Sequence, residues 1–154
     1  MPRLFLDANV PIYAAGREHP LREPCREVLA LAARYPDFFF TDAEVLQEML
    51  HRYLALKRLP EGVRAVQDFA VVTRGSVEGV LVEDVLLACE LANRYAKGPG
   101  SGLAARDLLH AAVMLRCGSS KIVTADKDFD ELAGEGIRRL DPAQIESWRD
   151  AVVA

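Results

Sequence analysis

Lys121-Ile122-Val123-Thr124-Ala125-Asp126-Lys127-Asp128-Phe129-Asp130 passes from a short β-prone run into three alternating carboxylates. The run is too short for a buried helix, and Ile, Val and Thr pack well on a pleated surface, so it reads as a strand. Asp126 then stands just past the strand's carboxyl end, where open α/β sheets hold their ligands. The chain opens in the same way. Arg3-Leu4-Phe5-Leu6 is a short run ending in Asp7-Ala8-Asn9-Val10-Pro11, a buried strand leaving into a turn.

What lies between these two strands sets the fold class. Helical spacing runs from about Leu21 to Tyr35, with Val28, Leu29, Ala32 and Ala33 on one side. Asp37-Phe38-Phe39-Phe40-Thr41 reads as a second strand, and Thr41-Asp42-Ala43-Glu44 as a capping box. The helix it opens would turn Val45, Leu46, Met49, Leu50 and Tyr53 inward. Pro60-Glu61-Gly62 separates it from another helical stretch reaching about Arg74. Gly79-Val80-Leu81-Val82 is the third strand candidate, followed by a helix from about Asp84 to Tyr95. Lys97 to Gly102 is a loop that lacks the Gly-Lys-Ser/Thr ending of a phosphate-binding P-loop. A helix from Leu103 to about Cys117 stops at Gly118 and leads into Lys121. Ile137-Arg138-Arg139-Leu140 reads as a fifth strand, and Asp141-Pro142-Ala143-Gln144 as the start of a last helix. Strands alternating with helices predict an α/β fold with a parallel sheet covered on both faces.

Composition narrows the setting. The 154 residues fit one domain, and no apolar run reaches the 18 or so residues of a spanning helix. Met1 to Asp7 lacks a signal peptide's long apolar core. Cys25, Cys89 and Cys117 are odd in number and widely spaced, as expected of reduced, mostly buried thiols in a cytoplasmic protein. A net charge of −4 argues weakly against tight nonspecific nucleic-acid binding. Local clusters qualify that: His51, Arg52, Lys57, Arg58 and Arg64 follow Glu48, while Arg106, Lys121 and Lys127 surround the later acids.

Four acids stand at element ends or on apolar faces. Asp7 and Asp126 close strands, although Asp7 could equally form an Asx turn. Glu48 borders the stripe of Val45 and Met49, against a plain exposed pair with Arg52. Asp107 lies in a helix's first turn, where the dipole alone would favour it. His110 shares its face and reads as packed and hydrogen-bonded. Asp128 is a plausible supporting ligand, and Asp130 caps or faces solvent. The run is no EF-hand, because the loop position that demands Gly is Glu131. If the four converge, each close pair repels by about 4 kcal/mol at ~4 Å and an effective dielectric near 20. A hard divalent cation answers that repulsion.

Leu4-Phe5-Leu6-Asp7-Ala8-Asn9, Val45-Leu46-Gln47-Glu48, Asp107-Leu108-Leu109-His110-Ala111-Ala112 and Ile122-Val123-Thr124-Ala125-Asp126-Lys127-Asp128-Phe129 together span nearly the whole chain. In these pieces it resembles the PIN-domain family, and within it the VapC-type toxins of toxin–antitoxin pairs. The resemblance implies residues 1–154 as a single three-layer α/β/α domain, with a five-stranded parallel sheet in the order 3-2-1-4-5. It implies an endoribonuclease dependent on Mg²⁺ or Mn²⁺, with Asp7, Glu48, Asp107 and Asp126 as the metal-binding, catalytic cluster. Asn9, Thr124 and Asp128 would assist them. It further implies an RNA substrate, a homodimer and a small antitoxin that blocks the site.

Two rivals remain open at this stage. A haloacid-dehalogenase-like phosphatase also sets an Asp after its first strand, but the general acid it needs two residues on is Asn9 here. The other is a non-catalytic RNA- or protein-binding module whose metal is structural. Arg52, Arg106 and Lys127 are equal candidates for the cation that holds a phosphate.

Overall fold

Leu4–Leu6 forms β1 at the middle of a five-stranded, all-parallel sheet in the order β3-β2-β1-β4-β5. The structure is a computed structural model and describes residues 2–153. Phe39–Asp42 (β2) and Lys121–Val123 (β4) flank β1, with Leu4 opposite both Phe39 and Lys121. Val77–Glu78 (β3) and Arg138–Leu140 (β5) form the edges. All three residues of β1 are buried, so both faces of the sheet centre are covered, as an all-parallel sheet requires. The helices do the covering. Asn9–Ala15 (α1) packs on Arg22–Arg34 (α2), Ala43–Ala55 (α3) on Leu59–Val72 (α4), and Val82–Tyr95 (α5) on Ala105–Arg116 (α6). Ile145–Val153 (α7) closes the chain against α2. Phe5, Phe39, Phe40, Met114, Ile122 and Phe129 are among the core's largest fully buried side chains. The expected class, strand count and order are all observed.

Several local expectations are corrected. Asn9-Val10-Pro11 does not stay a turn: it opens α1, because Pro in a helix's first turn costs no hydrogen bond. Asp37 and Phe38 lie in a 3₁₀ turn, Pro36–Phe38, before β2 begins. The cap of α3 is Asp42, whose Oδ1 accepts from the Val45 amide at 2.9 Å, while Thr41 stays in β2 and donates to the Leu6 carbonyl. Leu50 points outward, as does Ala33 of α2, where Cys25, Val28, Leu31 and Ala32 form the buried face instead.

Pro60-Glu61-Gly62 is the first turn of α4, not a separator. Gly62 allows α3 and α4 to touch, since a Cβ there would stand 2.4 Å from the Cβ of Tyr53. The third strand is Val77–Glu78 rather than the apolar run after it. Asp84 accepts the Leu81 amide at 2.8 Å and pairs with Arg116, which starts α5 where hydrophobicity alone favoured a strand. Leu81 and Val82 are left exposed. Of the thiols, Cys25 is buried and Cys89 exposed.

Candidate metal centre

Asp7 follows β1 directly, and its amide still bonds the Val123 carbonyl at 3.2 Å, so the ends of β1 and β4 lie side by side. One hydroxyl ties them together. Thr124 donates to Asp7 Oδ2 at 2.7 Å and accepts from Asn9 Nδ2 at 2.7 Å and from the Asp126 amide at 3.0 Å. Asn9 also donates to Asp7 Oδ2 at 3.1 Å and accepts from the Ala125 amide at 3.2 Å. The Ala8 amide donates to Asp7 Oδ1 at 2.8 Å. Burial raises the Asp7 carboxyl above its ordinary range; the charge of His110 and the Thr124 hydrogen bond oppose this, and Glu48 adds to it.

Glu48 reaches the same point from α3. Its Oε1 meets Arg106 Nε at 2.9 Å, so the alternative of a plain exposed pair with Arg52 is not what is observed. Its Oε2 is buried with no hydrogen-bond partner among the described residues, 3.5 Å from His110 Nε2. His110 Nε2 likewise lacks a partner and lies 3.9 Å from Asp7 Oδ1. Donor atoms of Asp7, Glu48 and His110 all fall within 4.8 Å of one another.

His110 is held from behind. Its Nδ1 sits 2.8 Å from Asp42 Oδ2, and both side chains are fully buried. Burial pushes the imidazolium toward neutrality, but the carboxylates of Asp42, Glu48 and Asp7 outweigh it and carry the pKa up to about 10. His110 and Asp42 were not among the expected site residues, although His110 was rightly read as packed and hydrogen-bonded. The sequence did carry a signal for Asp42, which closes β2 as Asp7 closes β1.

Asp107 and Asp126 stand outside the tight trio. Asp107 occupies the first turn of α6, where Oδ2 accepts from the Ala104 amide at 2.8 Å. Its carboxyl is pushed up to about 6, chiefly by burial, with the charges of Asp7 and Asp126 adding to the effect. The charges of Asp7 and Asp126 thus both bear on the Asp107 carboxyl. Asp126 Oδ1 accepts from the Asp128 amide at 2.9 Å and caps the 3₁₀ segment Lys127–Glu135. Asp128 is held above its normal range chiefly by the Asp126 charge, and it rests on Gly102, where a Cβ would come within 2.3 Å of Oδ1. Asp130 turns away to an exposed pair with Arg139.

The donor set fits a divalent cation. Raised carboxyl pKa values at Asp7 and Asp107 mark charges in want of a partner, and Glu48 Oε2 is a buried acceptor with no hydrogen-bond partner among the described residues, only the His110 ring at 3.5 Å. The carboxylate oxygens suit Mg²⁺ or Mn²⁺, while His110, protonated against Asp42, lends the cluster charge rather than a lone pair.

A family model described as PIN domain matches residues 4–135. Ribonuclease VapC23 of Mycobacterium tuberculosis is 40% identical over 126 residues, covering 80% of this chain and 92% of that protein. Ribonuclease VapC13 of the same organism is 34% identical over 137 residues, covering 89% and 98%. Among solved structures, FitAcB from Neisseria gonorrhoeae superposes with a TM-score of 0.68 at 17% identity, over 92% of this chain and 99% of that one. FitAB bound to an IR36 DNA fragment gives 0.67 at 20% identity, over 92% and 96%. At such identity these two structures speak for the fold alone.

Proposed function

This chain belongs to the PIN-domain family, and from that premise we propose that it is a metal-dependent endoribonuclease, the toxin of a toxin–antitoxin pair. The observation that carries the reading is the convergence of the Asp7 and Glu48 carboxylates on the buried His110, all within 4.8 Å, with the charges of Asp7 and Asp126 acting on Asp107. The ribonuclease names of its relatives support the same reading.

Asp7, Glu48, Asp107 and Asp126 would hold one or two Mg²⁺ or Mn²⁺ ions and form the catalytic cluster. Such an ion supplies a water of lowered pKa and neutralises charge on the phosphate and the leaving oxygen. Everything else falls to the chain. Thr124 and Asn9 fix the Asp7 carboxylate through two hydrogen bonds to Oδ2 and brace each other through a third. Asp128 supports Asp126 through its own backbone amide. Asp42 holds the buried positive charge of His110 behind Asp7 and Glu48, and at Asp7 that charge opposes the effect of burial.

The phosphatase reading weakens on one observation. The Asn9 amide is spent on Asp7 and Thr124, so no proton donor stands two residues beyond Asp7.

Partners follow from the surface. Leu50, Leu54, Leu56, Leu59 and Val63 are exposed on α3 and α4, and α3 carries Glu48; this strip suits a small antitoxin that covers the site. Leu81, just before α5, and Val82, Val85 and Leu86 within it are a second set of exposed apolar residues and support a homodimer. Among the described residues no helix is long and apolar enough to cross a membrane. We place the protein's work in the cytoplasm.

The test is cleavage of single-stranded RNA by purified protein with and without Mg²⁺ or Mn²⁺. Cleavage should need the ion and vanish in Asp7→Asn. Ion binding without any cleavage would favour the non-catalytic module, and release of phosphate from phosphomonoesters the phosphatase.

A further inference from the structure

Besides the buried His110, Arg106 is the basic side chain that meets the cluster among the described residues. Its Nε meets Glu48 Oε1 at 2.9 Å, while Arg52 and Lys127 make no ion pair among the described residues. The Arg106 side chain is 51% exposed, so it hangs at the mouth of the cleft rather than inside it. Glu48 is used unevenly: Oε1 faces Arg106, and Oε2 points inward toward His110 and Asp7 without a hydrogen bond. A divalent cation held by Glu48 would weaken the hold of that carboxylate on the guanidinium. The arginine is free to leave, because its remaining side chain is unanchored and its neighbour Asp107 is fixed independently by the Ala104 amide.

We propose that Arg106 is the phosphate-binding residue of this nuclease and changes partners during the cycle. In the metal-free protein it pairs with Glu48 and occupies the cation's place electrostatically. Once a cation holds Glu48, the planar guanidinium fork turns to the phosphodiester oxygens, which it suits better than a carboxylate already neutralised. Arg106 thus keeps the acids from repelling one another when the site is bare and gathers substrate when it is loaded. This rests on the nuclease reading above.

Two consequences are measurable without knowing which RNA is cut. Arg106 competes with the cation for Glu48, so Arg106→Gln should bind Mg²⁺ more tightly, by about twofold to fivefold, the range expected for loss of an exposed ion pair. Arg106 also links cation to phosphate, so Mg²⁺ should strengthen binding of uridine monophosphate by wild type, and this coupling should fall about tenfold or more in Arg106→Gln. Arg106→Lys should restore part of the coupling but not a bidentate grip. Calorimetric titration of each variant with Mg²⁺ alone, then with the nucleotide at saturating Mg²⁺, reads both. Mg²⁺ affinity that falls in Arg106→Gln, or coupling that survives it, would overturn the proposal. Asp7→Asn separates the two readings: if it too leaves Mg²⁺ binding unchanged, the cleft is no metal site and the nuclease reading fails first. If Asp7→Asn abolishes binding while Arg106→Gln changes nothing, only the role of Arg106 is lost.

Discussion

His110 Nδ1 lies 2.8 Å from Asp42 Oδ2, and neither side chain reaches solvent. The contact joins the helix that carries Asp107 to the start of the helix that carries Glu48, because Asp42 Oδ1 caps α3. One buried carboxylate therefore sets the relative positions of two elements of the candidate site.

That double duty makes Asp42 the most sensitive polar residue of the fold. Asp42→Ala removes the cap, worth about 1 kcal/mol. It also leaves His110 buried without its partner, and breaking a buried pair costs about 3–5 kcal/mol. Asp42→Asn keeps an oxygen for the Val45 amide and should lose distinctly less. Urea denaturation in metal-free buffer measures both, and equal losses would mean that the charge on Asp42 does nothing for His110.

The same pair predicts a pH dependence at the alkaline end. The folded pKa of His110, about 10, lies above its unfolded value of 6.5. A group raised on folding gives stability that is fully present below the unfolded pKa and is lost as pH rises through the folded one. Metal-free protein should therefore lose stability between about pH 6.5 and pH 10, and His110→Gln should flatten that slope. A slope unchanged in the variant would assign it to other groups.

Asp107 shifts stability with pH in the same direction, but in a lower window. Its folded pKa of about 6 exceeds 3.8, so its contribution is favourable in acid and is lost as pH rises through about 6. Divalent cations should offset this loss. The rise in melting temperature from millimolar Mg²⁺, against matched monovalent salt, should be larger at about pH 7.5 than at about pH 5. Asp107→Asn should stabilise the metal-free protein at neutral pH by about 1–2 kcal/mol, after allowing for solvent screening at the cleft mouth. A metal effect that is equal at both pH values would separate cation binding from these carboxyls.

Glu44 and Glu48 offer a sharper contrast than their spacing suggests. With Asp42 as cap, Glu44 is the second residue of α3 and serves only the helix dipole, worth about 0.3–1 kcal/mol. Glu44→Gln should leave RNA cleavage and Mg²⁺ binding intact. Glu48→Gln should weaken both and leave the melting temperature of the metal-free protein nearly unchanged or higher. The reverse pattern would mean that Glu44 faces the cleft.

Strand-end carboxylates were legible because two periodic signals agree there: a short β-prone run stops, and a charge follows it. That was enough for Asp7 and Asp126, and for the order of the sheet through the family resemblance. Helix starts were harder. The cap moved from Thr41 to Asp42 because Thr41 found the Leu6 carbonyl across the sheet, a partner 35 residues away that no local pattern announces. Val80 to Val82 misled for a similar reason, since Asp84 and Arg116, which start α5, meet only in three dimensions. His110 was legible as a packed residue but not as part of the cluster. Its role depends on Asp42 and Glu48, which lie on other elements.

The hydroxyl of Thr124 is the joint between the two strand-end acids, so its removal tests whether they act as one site. Thr124→Val keeps the side chain's shape but deprives Asp7 Oδ2, Asn9 Nδ2 and the Asp126 amide of a common partner. Asn9 and Asp7 still bond each other, so the Asp126 amide is the group left unmet, at a cost of about 1–3 kcal/mol that water entering from the cleft will reduce. The more telling effect is on Asp7. Its bond from Thr124 lowers a carboxyl that burial already raises, so the variant should hold Asp7 protonated to higher pH. The pH midpoint for Mg²⁺ binding should then move upward, and Mg²⁺ affinity should fall most on the acid side of neutrality. Thr124→Ser retains the hydroxyl and should restore the wild-type midpoint despite a looser fit in the core. Mg²⁺ titrations of the three proteins at several pH values decide the matter. A midpoint that stays fixed in Thr124→Val would show that Asp7 takes no part in holding the cation.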